Sequence, residues 1–144
     1  MALDAFRAQH PQSGEIAGLY AGSPSRVKRL DRPGEYFLVP IRDGLGLRGV
    51  VQVDAERRRV ESSAAILDPA TELLLRADTA LAAALRSRPN LRDWRTPFLG
   101  WRPCRESFDS MRPLWVIRHA EGELFVTQSG GVFETLTSGR GGHS

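Results

Sequence analysis

Glu35-Tyr-Phe-Leu-Val-Pro-Ile-Arg-Asp-Gly44, followed by Gly49-Val-Val-Gln-Val-Asp54 and Val60-Glu-Ser-Ser63, reads as three consecutive strands joined by turns. The strands are rich in β-branched and aromatic residues, and Asp and Gly fill the breaks between them. The same grammar returns at Pro113-Leu-Trp-Val-Ile-Arg118, Glu123-Leu-Phe-Val-Thr-Gln128 and Gly131-Val-Phe-Glu-Thr-Leu136. Each copy is an apolar strand, a turn with an acid and a glycine, a second strand, a tight turn and a short third strand. The pattern predicts an α+β fold: an antiparallel sheet built from two β-meanders with one main helix packed across it.

The helix is expected between the meanders, from about Pro69 to Arg88. Asp68 is a good N-cap and Pro69 suits the first helical position. Ala70, Leu74, Ala77, Leu81 and Ala84 recur at helical spacing, with Leu73 and Leu85 widening the stripe. A shorter helix over residues 2–9 would bury Leu3 and Phe6 and stop at His10-Pro11. Residues 16–20 and 26–30 are weaker strand candidates, and a further strand is expected at Phe98–Arg102. Tyr36 to Ile41 is apolar on both faces, with Pro40 ending the strand or placing it at an edge. Residues 49–54 alternate as a half-buried strand. These elements read as a single domain over 1–137, pseudo-repeated as 1–66 and 67–137, with a flexible tail at 138–144.

At 144 residues, 41% hydrophobic and 26% charged, the chain is of ordinary globular composition. One cysteine, Cys104, excludes an intramolecular disulfide framework. The first residues lack a basic segment followed by an apolar run, and no apolar stretch approaches the roughly 20 residues that span a bilayer. The cytoplasm is the expected location. The net charge of +3 is 20 basic against 17 acidic residues, and of the basic ones only Lys28 is a lysine. They are spread along the chain rather than gathered in a patch, so nucleic acid is not the expected partner.

Val51-Gln-Val-Asp-Ala-Glu-Arg-Arg-Arg-Val60 and Leu124-Phe-Val-Thr-Gln-Ser-Gly-Gly-Val132, each beside a helix, resemble the hairpins of the PepSY-like and cystatin-like α+β group. The resemblance covers residues 35–66 and 70–137. Arg57-Arg58-Arg59 departs from it, standing where the group has a turn glycine. The stretch Trp101-Arg-Pro-Cys-Arg-Glu-Ser107 with Pro113-Leu-Trp115 also resembles bacterial proteins of this size to which no activity attaches. The PepSY-like and cystatin-like resemblance implies a helix across a curved sheet, and a module that binds or restrains other proteins, peptidases among them, rather than a catalyst.

No catalytic constellation has the required spacing. His10, His119 and His143 match no metal-ligand motif, so neither metal nor cofactor is expected. Cys104 with His119 is the one conceivable thiol–imidazole pair, and nothing local orients a base beside the thiol. A buried thiol next to Pro103 is the expected state. Gly44-Leu-Gly46-Leu-Arg-Gly49 leads into a strand rather than a helix, which excludes a phosphate loop. The paired carboxylates Asp54/Glu56, Glu121/Glu123 and Glu106/Asp109 fall in turns.

The segment 90–112 mixes tryptophan, phenylalanine and arginine with little periodicity. Trp101 and Trp115 are expected to plug the core, with arginine stems laid over them. Trp94 follows the helix in a polar context and reads as an exposed anchor. Trp94, Arg95, Arg102 and Arg105 are therefore the expected partner-binding residues, because tryptophan and arginine supply interface hot spots. Tyr36 and Leu38 on a meander edge are a second candidate, for self-association by strand pairing. The expected function is a non-catalytic protein- or peptide-binding module of regulatory or inhibitory type. Its alternatives are a small-molecule pocket or enzyme between helix and sheet, and single-stranded nucleic-acid binding through 92–105.

Overall fold

The structure, a computed structural model, describes residues 1–138. The expected tail lies outside the described residues from Gly139 on, and His143 with it. The class is α+β: nine strands, mostly antiparallel, and two α-helices among the described residues. The chain divides into two compact units, residues 1–27 with 34–73, and residues 28–33 with the chain from Leu74 onward.

The first unit carries helix α1 (Ala2–Gln9) and strands β1 (Tyr20–Ala21), β3 (Glu35–Asp43), β4 (Gly46–Asp54) and β5 (Val60–Ala65). Strand β2 (Ser25–Arg29) spans the boundary, with residues 25–27 in this unit and 28–29 in the other. The hydrogen-bond order is β5-β4-β3-β2, and β1 pairs with the far end of β3. Helix α1 ends at His10-Pro11 as the sequence requires, and Phe6 from it packs among Leu19, Ile41, Val51 and Val53. The Phe6 ring lies so close over Gly49 that a Cβ there would sit 2.1 Å from Cε1. That close approach is what the glycine permits.

Several expectations for this unit need correction. Strand β3 neither ends nor reaches an edge at Pro40; it runs to Asp43 between β4 and β2. Proline's missing donor is tolerated because the flanking partner changes there. The Pro40 carbonyl accepts from Gly22 N–H at 2.7 Å, β1 takes up the pairing at Ile41 and Arg42, and the β3–β4 register shifts between those two residues. Tyr36 and Leu38 are fully buried, so they offer no edge for a partner. Strand β4 is buried on both faces rather than one, with Val50 and Gln52 enclosed as well as Val51 and Val53.

Two turns explain the register. Asp43 Oδ1 accepts from Leu45 N–H at 2.8 Å and Gly46 N–H at 3.1 Å, while Oδ2 accepts from Arg48 Nε at 2.8 Å. Burial raises the Asp43 pKa, but these donors outweigh it and hold the carboxyl below its ordinary value. At the β4–β5 turn, Arg58 takes the left-handed conformation at φ 52°, doing without the glycine that the hairpin resemblance would place there.

The second unit carries helix α2 (Ala77–Ser87) and strands β6 (Phe98–Trp101), β7 (Leu114–His119), β8 (Gly122–Val126) and β9 (Val132–Phe133). Its order is β2-β6-β7-β8-β9. The β2–β6 pair, Lys28 with Gly100 and Arg29 with Trp101, is parallel, so the architecture is mixed rather than purely antiparallel. Helix α2 starts eight residues later than the Asp68-Pro69 signature suggests. Asp68 instead closes a single turn, its Oδ1 accepting from Ala70 N–H and its carbonyl from Thr71 N–H. The Pro69 carbonyl, which a helix would offer to residue 73, accepts from Leu47 N–H at 3.1 Å. Both backbone groups of Leu75 are also engaged, by Gln128 Oε1 at 2.5 Å and Trp115 Nε1 at 2.9 Å. Leu74 thus lies outside the helix. The residues that α2 buries are Ala80, Ala83 and Ala84, against Ile117, Leu124 and Val126, with Leu81 and Leu85 half-buried around them. Alanine brings the helix axis close to the strands.

Candidate functional site

Leu91 is buried in the α2 cluster and pins the chain as it leaves the helix. The next residues run beside the end of β7. Ala120 N–H donates to the Arg92 carbonyl at 3.2 Å, and Arg95 N–H donates to the Arg118 carbonyl at 2.8 Å. Between these two clamps Asp93 takes the left-handed conformation at φ 55°. A short polar side chain tolerates it. Trp94 is left 42% exposed. Its indole is one of few large apolar groups turned to solvent, and its backbone is fixed on both sides.

Residues 88–93 form one wall of an open groove of about 800 Å³, and the β7–β8 turn at 119–124 forms the other. A smaller hollow of about 480 Å³ continues past Asp93 to Arg95, Arg118 and Glu123. Charge is mixed. Arg88 pairs with Glu134, and Arg118 Nε pairs with Glu123 Oε2 at 3.0 Å. Among the described residues, no ion pair or side-chain hydrogen bond engages Arg92 or Arg95. The Phe98 ring carries two cations, Arg118 Cζ at 5.0 Å and Lys28 Nζ at 5.8 Å from its centroid.

The four Trp/Arg residues expected to share one face are not together. Trp94 and Arg95 lie beside the His119 end of β7. Arg102 and Arg105 lie past the opposite end of β6, where Arg105 N–H donates to the Thr137 carbonyl and Arg102 Nη2 donates to the Leu136 carbonyl at 2.8 Å. Seven residues of largely extended chain separate Arg95 from Arg102, on the order of 20 Å. Arg105 remains exposed, while Arg102 is half-buried and engaged. Trp101 and Trp115 are half-buried, with their indole N–H groups donating to the Ser107 and Leu75 carbonyls.

Cys104 is fully buried among Leu114, Val116 and Phe125. Burial raises its pKa, and Sγ lies 3.4 Å from the Ser107 carbonyl oxygen as a donor. His119 closes the far end of β7, five strand positions or roughly 17 Å from Leu114, and its Nδ1 accepts from Glu121 N–H at 3.3 Å. The thiol and the imidazole therefore do not meet. His10 stacks on Phe6 at 4.7 Å and lies 2.9 Å from Ser63 Oγ. Among the described residues, no three His, Cys, Asp or Glu side chains converge on a metal position. No helix among them is long and apolar enough to cross a membrane.

The groove itself was not legible in the sequence. Arg92, Asp93, His119 and Glu121 come from two turns some 26 residues apart in the chain, and neither turn has a periodic signal. Only the polar run around Trp94 marked one wall.

No protein-family model matches this chain. No curated protein matches it either. Among solved structures, a candidate lipoprotein of Clostridium difficile 630 aligns over 92% of this chain and 90% of its own, at 13% identity and a TM-score of 0.32. That likeness is too low to carry an argument about fold or function.

Proposed function

We propose that this chain is a non-catalytic protein- or peptide-binding module of regulatory or inhibitory type, and that its contact face is the groove rim around Trp94 and Arg95. One observation carries the reading. Two backbone hydrogen bonds hold residues 92–95 while Trp94 stays exposed and Arg92 and Arg95 keep unengaged guanidinium groups. An aromatic residue on a backbone already fixed loses less conformational entropy on binding, which suits an interface anchor. Free guanidinium groups beside it suit a partner segment with a carboxylate next to an apolar side chain. The helix-and-hairpin resemblance to the PepSY-like and cystatin-like group supports the same class of function, and Arg105 is an outlying contact at most.

The test uses the purified chain as bait, with the captured partner then titrated against defined variants. Trp94→Ala and Arg95→Ala should each weaken binding by about 1–4 kcal/mol if they are anchors, with unchanged thermal unfolding. If both variants bind like the parent, the site is wrongly placed.

The groove volume favours a second reading, a small ligand held between residues 88–93 and the β7–β8 turn. A metabolite that co-purifies and is lost in Arg92→Ala would select it. Nucleic acid is disfavoured because Lys28 and Arg118 already cover the Phe98 ring, leaving Trp94 as the exposed aromatic of residues 92–105. Affinity for single strands that falls steeply with salt would reverse that judgement.

A further inference from the structure

The first unit ends in a strand with no strand beyond it, its Ser63 hydroxyl bonded to the Gln9 and His10 side chains at the end of α1. Strand β5 is last in the order β5-β4-β3-β2, and among the described residues no strand pairs with its outer side. Ile66 N–H donates inward to the Arg48 carbonyl at 2.9 Å. By the alternation of an antiparallel ladder, Ser62 and Ala64 also bond inward, and Ser63 and Ala65 turn their N–H and C=O groups outward. Natural edges are commonly blunted by lysine, proline or inward charge. Ser62-Ser-Ala-Ala-Ile-Leu67 has none of these, and Leu67 at its end is 95% exposed. The flanking charges are Glu61, which precedes the run beside a register shift and accepts from Gln52 Nε2 at 3.0 Å, and Asp68, which follows it and accepts from Ala70 N–H at 3.0 Å.

We propose that this edge pairs with the same edge of a second copy of the chain, antiparallel about a twofold axis at Ala64. The pairing is self-complementary, as an isologous contact must be. Ser63 of each copy would exchange two main-chain hydrogen bonds with Ala65 of the other, and Ala64 would face Ala64. Small side chains meet small side chains. Each Glu61 falls opposite the partner copy's Leu67, so no like charges oppose one another. Few residues take part, and the interface falls short of the roughly 1,200–2,000 Å² of stable complexes. The dimer is therefore reversible and concentration-dependent. It lies in the first unit, and its failure would leave the Trp94 reading untouched.

Sedimentation velocity of the full chain tests it, from about 1 μM to about 1 mM. The mean mass should rise from 15.9 kDa toward twice that value. Ala65→Lys and Ala65→Pro, at an exposed position whose N–H faces outward, should raise the dissociation constant at least about tenfold. Circular dichroism should be unchanged; if the proline variant does not fold, the lysine variant alone decides. Ala64→Cys should form an intermolecular disulfide under mild oxidation. A monomer at every concentration, a dimer indifferent to Ala65→Lys, or capture of another protein's strand in place of a second copy would overturn the proposal.

Discussion

Arg102 Nη2 donates to the Leu136 carbonyl oxygen at 2.8 Å, tying the chain after β6 to the segment that follows β9. Arg105 N–H to the Thr137 carbonyl and Thr137 N–H to Glu106 Oε1 extend the same seam. An arginine that reads in sequence as an interface anchor is thus a brace. Arg102→Ala should destabilise the fold by about 1.5–3 kcal/mol, the value of a hydrogen bond to a charged donor. It should leave affinity at the Trp94 rim unaltered. Urea unfolding and the partner titration read the two effects separately.

The face of α2 that matters is alanine. Ala84→Leu should cost about 1–3 kcal/mol through overpacking against Ile117, Leu124 and Val126. Leu81→Ala, at a half-buried position, should cost less than the roughly 2–5 kcal/mol of a fully buried leucine. Equilibrium unfolding of both variants gives the ranking; a larger loss at Leu81 would mean the helix is rotated.

Gly49→Ala sets a methyl group into the Phe6 ring and 2.8 Å from the Ala64 carbonyl oxygen. A loss of about 1–3 kcal/mol is expected. Phe6→Leu combined with Gly49→Ala should recover part of it, and a double-mutant cycle measures the coupling. Strict additivity would show that the ring does not rest on the glycine.

Cys104 should resist alkylation in the native protein at neutral pH and react only as the chain unfolds. Its thiol is buried and its pKa is raised by that burial. The sign follows from the folded state holding the proton more tightly than the unfolded one. The contribution is complete below the ordinary thiol value of 9.0 and declines as pH rises beyond it. Labelling rates across pH check this.

Asp43 should govern part of the acid limb. Its folded pKa lies below the ordinary 3.8, so its stabilising effect is present above that value and is lost as pH falls through the folded one. Asp43→Asn should flatten the dependence of stability on pH below about 4. An unchanged acid limb would remove Asp43 from the account.

Much of the fold was readable because it rests on local rules. Apolar runs broken by turn residues mark β3, β4, β7 and β8, and His10-Pro11 closes α1. The misreadings arose where distant partners overruled local signals. Asp68-Pro69 is a proper helix start, yet Leu47, Gln128 and Trp115 claim the backbone groups such a helix would use. Tyr36 and Leu38 seemed available because the sequence does not say that β2 lies alongside β3. At the candidate site Trp94 was visible as an aromatic in a polar run. Its separation from Arg102 was not, since it depends on where β6 begins and ends.

Strand β2 also bears on how this protein is made. Lys28 must wait for Gly100, its partner in the parallel pair, for about seventy residues of further synthesis. At roughly 5–20 residues per second the delay is several seconds on the ribosome. Residues 1–73 can meanwhile bring the first meander together, leaving half of β2 with an unpaired edge in the crowded space outside the exit tunnel. A chain started at residue 74 would lack the opening strand of the second unit. Nascent chains stalled before residue 98 are accordingly the ones expected to recruit chaperones, and the demand should fall once β6 has emerged.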